Sequence, residues 1–596
     1  LSLRTGSALD KRLRLTSKPG GFIAAATVWS LWAVMVAILV GMVAHCGANI
    51  PLWDEYHQLP LLIGEPVHLR YLWMPWSEHR VPMTRLILIG LARLTHADFR
   101  APMFASILIL AVWSLAMLKV ARRTRGYVSI TDAFLPMAVL HVGHQYNLLE
   151  GWNIQNAAFA ALAGTALMVI VVSQRQLPCT KGMIFGLALL LLPMNGAAGA
   201  ILVPGLALWL AYAGLRSWHA GTPLARRHGA YIIALALAAI GVVLLYFTGL
   251  TRSTPPNSSV WLTVRGAVMF LSVAFGPAGA ATWPCSGIAV MVLTMLCAAL
   301  LTSLALRQPQ ARLGALGIMA FLVGFGLVGL AIGWGRSGLA PYYCLDGRYA
   351  LLSAPAICAM YLAGNLLEPR SGRWLQWLLF LGMCLAQPAN FEHGWTGALA
   401  HRRGTHEFAR DVQRGVPIQL LIKRYHWLVP SWTGEEQPQF EPLVLDRWRL
   451  LRRVGHRVFK DLRELPPYRR IEVSVNPLKI EPVTQANHLG YELGCGSKAI
   501  YRLTGLEQVL AIRIRCSTES SKVTGGPVEL HVSWKDRTQN EQSELLRIDT
   551  ASGERVLTSW IDEWIDQFAI ESDNKACAIK ILKLGVLVPN ASQTVQ

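Results

Sequence analysis

Apolar runs long enough to cross a lipid bilayer recur along this chain, and they leave few folds open to it. Phe22 to Ala44 contains no Asp, Glu, Lys or Arg, and a hydrocarbon layer of about 30 Å asks for a helix of about 17–25 such residues. Further runs lie near 102–120, 129–148, 157–174, 182–194, 197–214, 230–249, 286–306, 313–333, 348–367 and 374–390. Together they predict about 11 transmembrane helices, an all-α polytopic membrane domain. A soluble enzyme is excluded by the same bias, since 53% of the 596 residues are hydrophobic and 15% charged.

Charge divides the chain in two. Residues 1–400 hold 27 of the 55 Lys and Arg but only 11 of the 35 Asp and Glu, so the remaining 28 and 24 fall in 401–596. The basic residues of the first part are scattered between apolar runs rather than gathered in one stripe, which excludes a nucleic-acid partner. They alternate instead as topology signals. The leader (Arg4, Lys11, Arg12, Arg14, Lys18), Lys119 with Arg122, Arg123 and Arg125, Arg175 with Lys181, Arg216 with Arg226 and Arg227, Arg307 with Arg312, and Arg370 with Arg373 all fall on one side. Short cytoplasmic loops are the basic ones. This predicts a multi-pass membrane protein with its N-terminus cytoplasmic and everything after about residue 390 outside.

The predicted organisation is a cytoplasmic leader over 1–21, a membrane domain over 22–395 with a first external loop at 46–101, a helical connector over 396–465 and an extracytoplasmic domain over 466–596. The first run is read as a retained signal-anchor helix, because it exceeds the roughly 7–15 residues of a signal-peptide core. Val81–Leu94, with Arg85 and Arg93, and Val260–Phe275, with Arg265, are short and basic on one face. They read as amphipathic helices in the outer interface, with two further spans as the alternative. Trp427, Pro430, Trp432 and Pro438 mark irregular chain in the connector. After about 470 come alternating runs such as Ile471–Val475, Leu510–Ile514, Val528–Trp534, Trp560–Ile570 and Ala578–Val588. Turn clusters at Thr524–Pro527 and Ala551–Gly553 separate them, and the spacing predicts a β-sandwich of jelly-roll type. Cys495, Cys516 and Cys577 are open to oxidation there but cannot all pair.

Carboxylates between the leader and residue 400 are few enough to name: Asp54, Glu55, Glu65, Glu78, Asp98, Asp132, Glu150, Asp346, Glu368 and Glu392. Most fall at the external ends of the predicted spans. The densest polar group follows the first span: Trp53-Asp54-Glu55-Tyr56-His57, then Trp73 and Trp76-Ser77-Glu78-His79-Arg80. It lies at headgroup height, where a lipid-borne phosphate or sugar is met, although the aromatics alone also fit an interfacial belt. A second group, Asn147 to Asn156, offers Glu150, Gln155 and Asn156 either to sugar hydroxyls or to helix capping. A third holds Arg336, Tyr342, Tyr343, Asp346 and Arg348; its guanidiniums are suited to phosphate oxygens, or to Asp346 and lipid headgroups.

An Asp-Glu pair just after the first span, a Glu-His-Arg before an amphipathic segment, many spans and an external C-terminal domain together resemble the GT-C superfamily of membrane glycosyltransferases. The likeness is to bacterial members of the protein mannosyltransferase and aminoarabinose transferase type, and covers about residues 20–430. The resemblance implies transfer of a sugar from a polyprenyl-phosphate carrier on the external face, with Asp54 as catalytic base and Glu55 beside it. General chemistry agrees: a base must take the acceptor proton and cations must hold the departing phosphate, roles open to Asp54 and to Arg80, Arg336 or Arg348. Glu78, His79, Glu150, Gln155, Asn156 and Tyr342 are the expected substrate-binding residues. The partners are a lipid-linked sugar donor, a glycan, lipid or protein acceptor, and membrane lipid. No cofactor is certain, though a divalent metal is compatible with Asp54 and Glu55. A flippase or a polymerase of lipid-linked saccharides is the alternative.

Overall fold

A computed structural model of the chain describes residues 19–589 apart from 77, 221, 252–255, 429–436, 465–467, 474–478, 482–490, 494–497, 519–527, 536–540, 549–552 and 573–578. The basic leader, Ser77, Pro430, Trp432, Cys495, Cys577 and the turn residues Thr524–Pro527, Ala551 and Ser552 therefore lie outside the described residues. Two compact units are present. One comprises the chain to residue 410 with 424–457, and the other 411–423 with 458 onward.

The first unit is helical. Among the described residues, seven helices are long and apolar enough to cross a membrane: Phe22–Cys46, Ala101–Arg125, Gly151–Val172, Ala197–Trp218, Pro223–Phe247, Cys285–Arg307 and Arg312–Arg336. Their 22–25 residues rise about 33–38 Å. Cys179–Asn195, Val260–Phe275 and Arg348–Ala363 are apolar but shorter, and the predicted 374–390 span is one part of a 45-residue helix, Pro369–Gln413.

The predicted span over 129–148 needs correction. It is not one helix but a chain of short pieces, Ile130–Ala133, Phe134–Val139, Val142–His144 and Gln145–Leu148, broken at Leu140 and His141. Thr131 to His144 is buried throughout. Irregular backbone is tolerated at membrane depth only where protein, not lipid, surrounds it, and here neighbouring helices supply the missing partners. Gln387 Nε2 donates to the Met137 carbonyl at 3.2 Å. The apolar composition reflects burial inside the bundle rather than exposure to lipid.

At the start of this segment Asp132, 1% exposed, is paired with Arg125 and accepts from Tyr361 Oη at 2.7 Å and Ser129 N at 2.8 Å. Arg125 also donates to Asn365 Oδ1 at 3.2 Å. Removing one partner of a buried pair leaves the other charge uncompensated, at a cost of about 3–5 kcal/mol. Asp132→Ala is therefore expected to lower the thermal unfolding midpoint of the detergent-solubilised protein sharply. An unchanged midpoint would show that the network does not hold the bundle.

The helix at Pro82–Leu94 forms as the sequence predicts, but Arg85 turns inward. It is 2% exposed, donates to the Tyr71 and Met74 carbonyls at 2.6 Å each, and stands 4.8 Å from the Tyr71 ring centroid. It holds down the loop ahead of it rather than meeting headgroups. Val260–Ser272 crosses Arg312–Arg336 through paired glycines: a Cβ on Gly266 would lie 2.7 Å from Gly333 Cα, and one on Gly333 2.1 Å from the Thr263 carbonyl oxygen. Small residues permit this backbone approach, which fixes the position of Arg336 one turn later.

The second unit contains an antiparallel sheet of β1 (Tyr468–Val473), β2 (Lys479–Glu481), β3 (Tyr491–Leu493), β4 (Lys498–Thr518), β5 (Val528–Lys535), β6 (Glu541–Ile548), β7 (Gly553–Ser572) and β8 (Ile579–Pro589). The order is β1-β8-β4-β7-β5-β6, with β2 on β4 and β3 on β8. Ile512, Ile514 and Cys516 are buried at alternate positions of β4, as one inward face of a strand requires. The pairing describes one eight-stranded sheet; the two facing sheets of a jelly roll are not distinguished by it. Cys516 is a buried free thiol.

Candidate active site

A cavity of about 610 Å³ opens in the helical unit, within the size range of small-ligand sites. Its walls come from the loop after the first long helix, the start of the helix at 154–172, the start of Ala197–Trp218, the end of Pro223–Phe247, the end of Arg312–Arg336 and the start of Arg348–Ala363. Alternating helices bring these ends to one side of a bundle. Asp54, Glu78, His79, Glu150, Gln155, Asn156, Arg336 and Arg348 all line it, so most of the predicted site residues, from three separate stretches of sequence, meet in one place.

The adjacent acids Asp54 and Glu55 have separate surroundings. Trp53 has a left-handed backbone, φ 46°, uncommon for a bulky residue and costly enough to need local support. Its N–H donates to the Leu428 carbonyl at 3.2 Å. Asp54 follows at the N-cap position of helix Glu55–Leu62 but makes no side-chain capping bond, so its half-buried carboxylate remains at the cavity wall. Glu55 is 1% exposed and accepts from Leu52 N at 2.9 Å. Its other oxygen occupies the space of a missing side chain, 2.3 Å from where a Cβ on Gly151 would stand. The helix carrying both acids is anchored by Tyr56, whose hydroxyl accepts from Trp448 Nε1 at 2.9 Å.

Electrostatics separate the acids further. Burial raises the Asp54 carboxyl to about 6, opposed first by the Trp76 side chain as a hydrogen-bond donor and then by the positive charge of Arg348. Burial raises Glu55 to about 8, with the Leu52 N–H opposing and the Asp54 charge adding. Glu150 is held well above the ordinary carboxylate range by burial and then by the charges of Asp54 and Glu55. Of these three acids, Asp54 is therefore the one that carries charge near neutral pH.

The cations also differ. Arg336 pairs with Glu78 at 3.0 Å, and burial followed by the Arg336 charge lowers His79 to about 4. Arg348 stands 3.5 Å from Asp346 and packs 4.9 and 5.3 Å from the ring centroids of Tyr343 and Tyr349. Its Nε is buried without a hydrogen-bond partner. Arg80 does not line the cavity: its guanidinium is spent on the carbonyls of Tyr246, Trp73 and Thr248 at 3.0, 2.6 and 2.7 Å. Tyr342 also lies outside the lining; it is 58% exposed and faces Arg265 at 5.3 Å. In the second group, Asn153 donates to Glu150 at 2.8 Å and Asn156 to Asn147 at 2.8 Å. Among the described residues, no cluster of three or more His, Cys, Asp or Glu side chains is placed to hold a metal ion.

Trp53 and Trp76 of the first polar group form an aromatic rim with Tyr146 and Tyr349. Tyr146 and Tyr349 were missed in the sequence, as was Asn195, a buried amide whose Oδ1 has no hydrogen-bond partner. The Asn195-Gly196 interruption between two apolar runs was a readable signal for that last residue. Ile201, Phe247, Val328, Ile332 and Leu352 add apolar lining, Ile332 and Leu352 one turn from Arg336 and Arg348 on the same helices. The result is an amphiphilic cavity in which three acids, two arginines and amides share the lining with membrane-type side chains.

These features define a polytopic helical membrane protein with an amphiphilic site at the helix ends. No protein-family model and no curated protein matches the sequence. Among solved structures, the chain is similar to the cryo-EM structure of arabinosyltransferase EmbB from Mycobacterium smegmatis, at 12% identity and a TM-score of 0.32. The alignment covers 94% of this chain and 64% of that one, so the chain spans just under two thirds of EmbB's length.

Proposed function

We propose that this protein is a membrane glycosyltransferase that moves a sugar from a polyprenyl-phosphate carrier to an envelope acceptor on the outer face of the bacterial cytoplasmic membrane. The observation that carries this reading is the cavity itself: an available carboxylate and two guanidiniums share one chamber with apolar lining fit for an isoprenoid chain. Asp54 takes the proton from the acceptor hydroxyl as its oxygen attacks the sugar's anomeric carbon. Arg348, with Arg336 oriented by Glu78, neutralises the phosphate that leaves with the lipid. Glu150, Gln155, Asn156 and His79 surround the sugar. The sheet-containing unit serves as a structural or acceptor-positioning module.

The pH profile follows from the cited shift. The base must be ionised, so kcat/KM is expected to rise with pH and level off above about 6, where burial holds Asp54. An acid limb at an ordinary carboxylate value near 4 would place the base elsewhere. The encompassing test compares envelope glycans and lipid-phosphate sugars by mass spectrometry in a deletion strain. Loss of one glycan mass with accumulation of a polyprenyl-phosphate sugar supports the transferase; an unchanged glycan profile and lipid pool would reject it.

A further inference from the structure

The long helix Pro369–Gln413 carries a second feature unrelated to the cavity. Exposed aromatics Trp374 and Trp377 stand at its beginning, and Phe391 stacks on Trp395 at 6.0 Å further along. From Trp374 to Trp395 the helix rises about 32 Å, which matches two aromatic belts at the faces of a hydrocarbon layer of about 30 Å. The next two turns hold Leu399, Arg402, Arg403 and His406, which line a concavity of about 300 Å³. Arg402 is about 10 Å past Trp395 along the axis, at headgroup height. A separate contact fixes the same level: Arg402 Nη1 lies 2.6 Å from His45 Nε2, at the end of the first long helix.

Spacing of three, four and seven residues places these four side chains on one helical face. The opposite face is occupied by protein. A Cβ on Gly404 would stand 2.5 Å from the Trp427 ring, the His401 ring is 5.9 Å from Trp427, and Phe408 packs on Tyr425 and Trp448 at 5.3 and 5.2 Å. Between residues 390 and 410 the carboxylates are Glu392 and Glu407, and Glu407 lies 4.0 Å from Arg410. The basic face is therefore in positive excess and includes an exposed leucine.

We infer that the Leu399–Arg402–Arg403–His406 face binds the headgroup of an anionic phospholipid where this helix leaves the membrane. The arginines meet the phosphodiester, and Leu399 meets the glycerol and upper acyl chain. Basic residues near a membrane surface each favour anionic lipid by about fivefold, so two arginines predict a preference of about 25-fold.

The test is native mass spectrometry of the full-length protein in detergent, titrated with equal amounts of phosphatidylglycerol and phosphatidylcholine. Wild type is expected to retain phosphatidylglycerol preferentially, Arg402→Gln/Arg403→Gln to lose that preference, and Arg452→Gln/Arg453→Gln, exposed at the end of the polar helix Gln437–Arg453, to keep it. Because Arg402 also meets His45, Arg403→Gln alone is the second variant, expected to reduce the preference about fivefold with an unchanged unfolding midpoint. Equal retention of both lipids by wild type, or full preference in the double variant, would overturn the inference. Displacement of the lipid by millimolar inorganic phosphate would overturn it too, since the face would then be a site for free anions.

Discussion

Asp54→Asn is expected to reduce glycosyl transfer by about 10²–10⁴-fold, the range a positioned general base contributes, while leaving the unfolding midpoint close to that of wild type. The amide retains the shape of the carboxylate but cannot accept the acceptor's proton, and the half-buried Asp54 caps no helix. Glu55→Gln provides the internal comparison. Glu55 is bound to Leu52 N and pressed against Gly151, so its variant should disturb stability more than chemistry and keep most of the rate. Transfer measured in proteoliposomes with a polyprenyl-phosphate sugar separates the two. If Glu55→Gln is the dead variant and Asp54→Asn the active one, the roles assigned to the pair are reversed.

Arg348→Gln is expected to lower kcat by about 10²–10³-fold, comparable to removing one preorganised donor from a developing charge. Two effects combine. The leaving phosphate loses a cation whose orientation is set by Tyr343, Tyr349 and Asp346, and Asp54 loses the charge that opposes its upward shift. The second effect has its own signature: the acid limb of kcat/KM should move to higher pH. Arg80→Gln should leave that limb in place, because its guanidinium serves three backbone carbonyls away from the cavity wall. A limb that stays at about 6 in Arg348→Gln would remove Arg348 from the environment of the base.

Much of this organisation was legible in the residues themselves. A carboxylate pair beside the end of an apolar run is costly unless it has a use, and that marked Asp54 and Glu55. What the sequence could not supply was direction. Asp54 and Glu55 are neighbours in the chain, yet the left-handed turn at Trp53 precedes one acid left at the cavity and another sealed against Gly151. Arg80, Arg336 and Arg348 are equivalent as permanently charged forks; only the carbonyls that surround Arg80 tell them apart. Hydropathy misled at 129–148 for a related reason. An apolar residue buried by protein and one facing lipid have the same composition, so burial alone explains the run without a continuous helix.

That broken segment also bears on how the chain is assembled at the ribosome. The Met137 carbonyl finds its donor in Gln387, 250 residues later, and Asp132 finds Tyr361, 229 residues later. At about 5–20 residues per second, roughly 10–50 s of synthesis separate these partners. During that interval the segment has the helices made before it but lacks the later ones that satisfy its breaks, and its simplest form in lipid is a plain helix. Its final shape is thus a late event in biogenesis, and chains truncated before residue 360 should be the ones that quality-control proteases recognise.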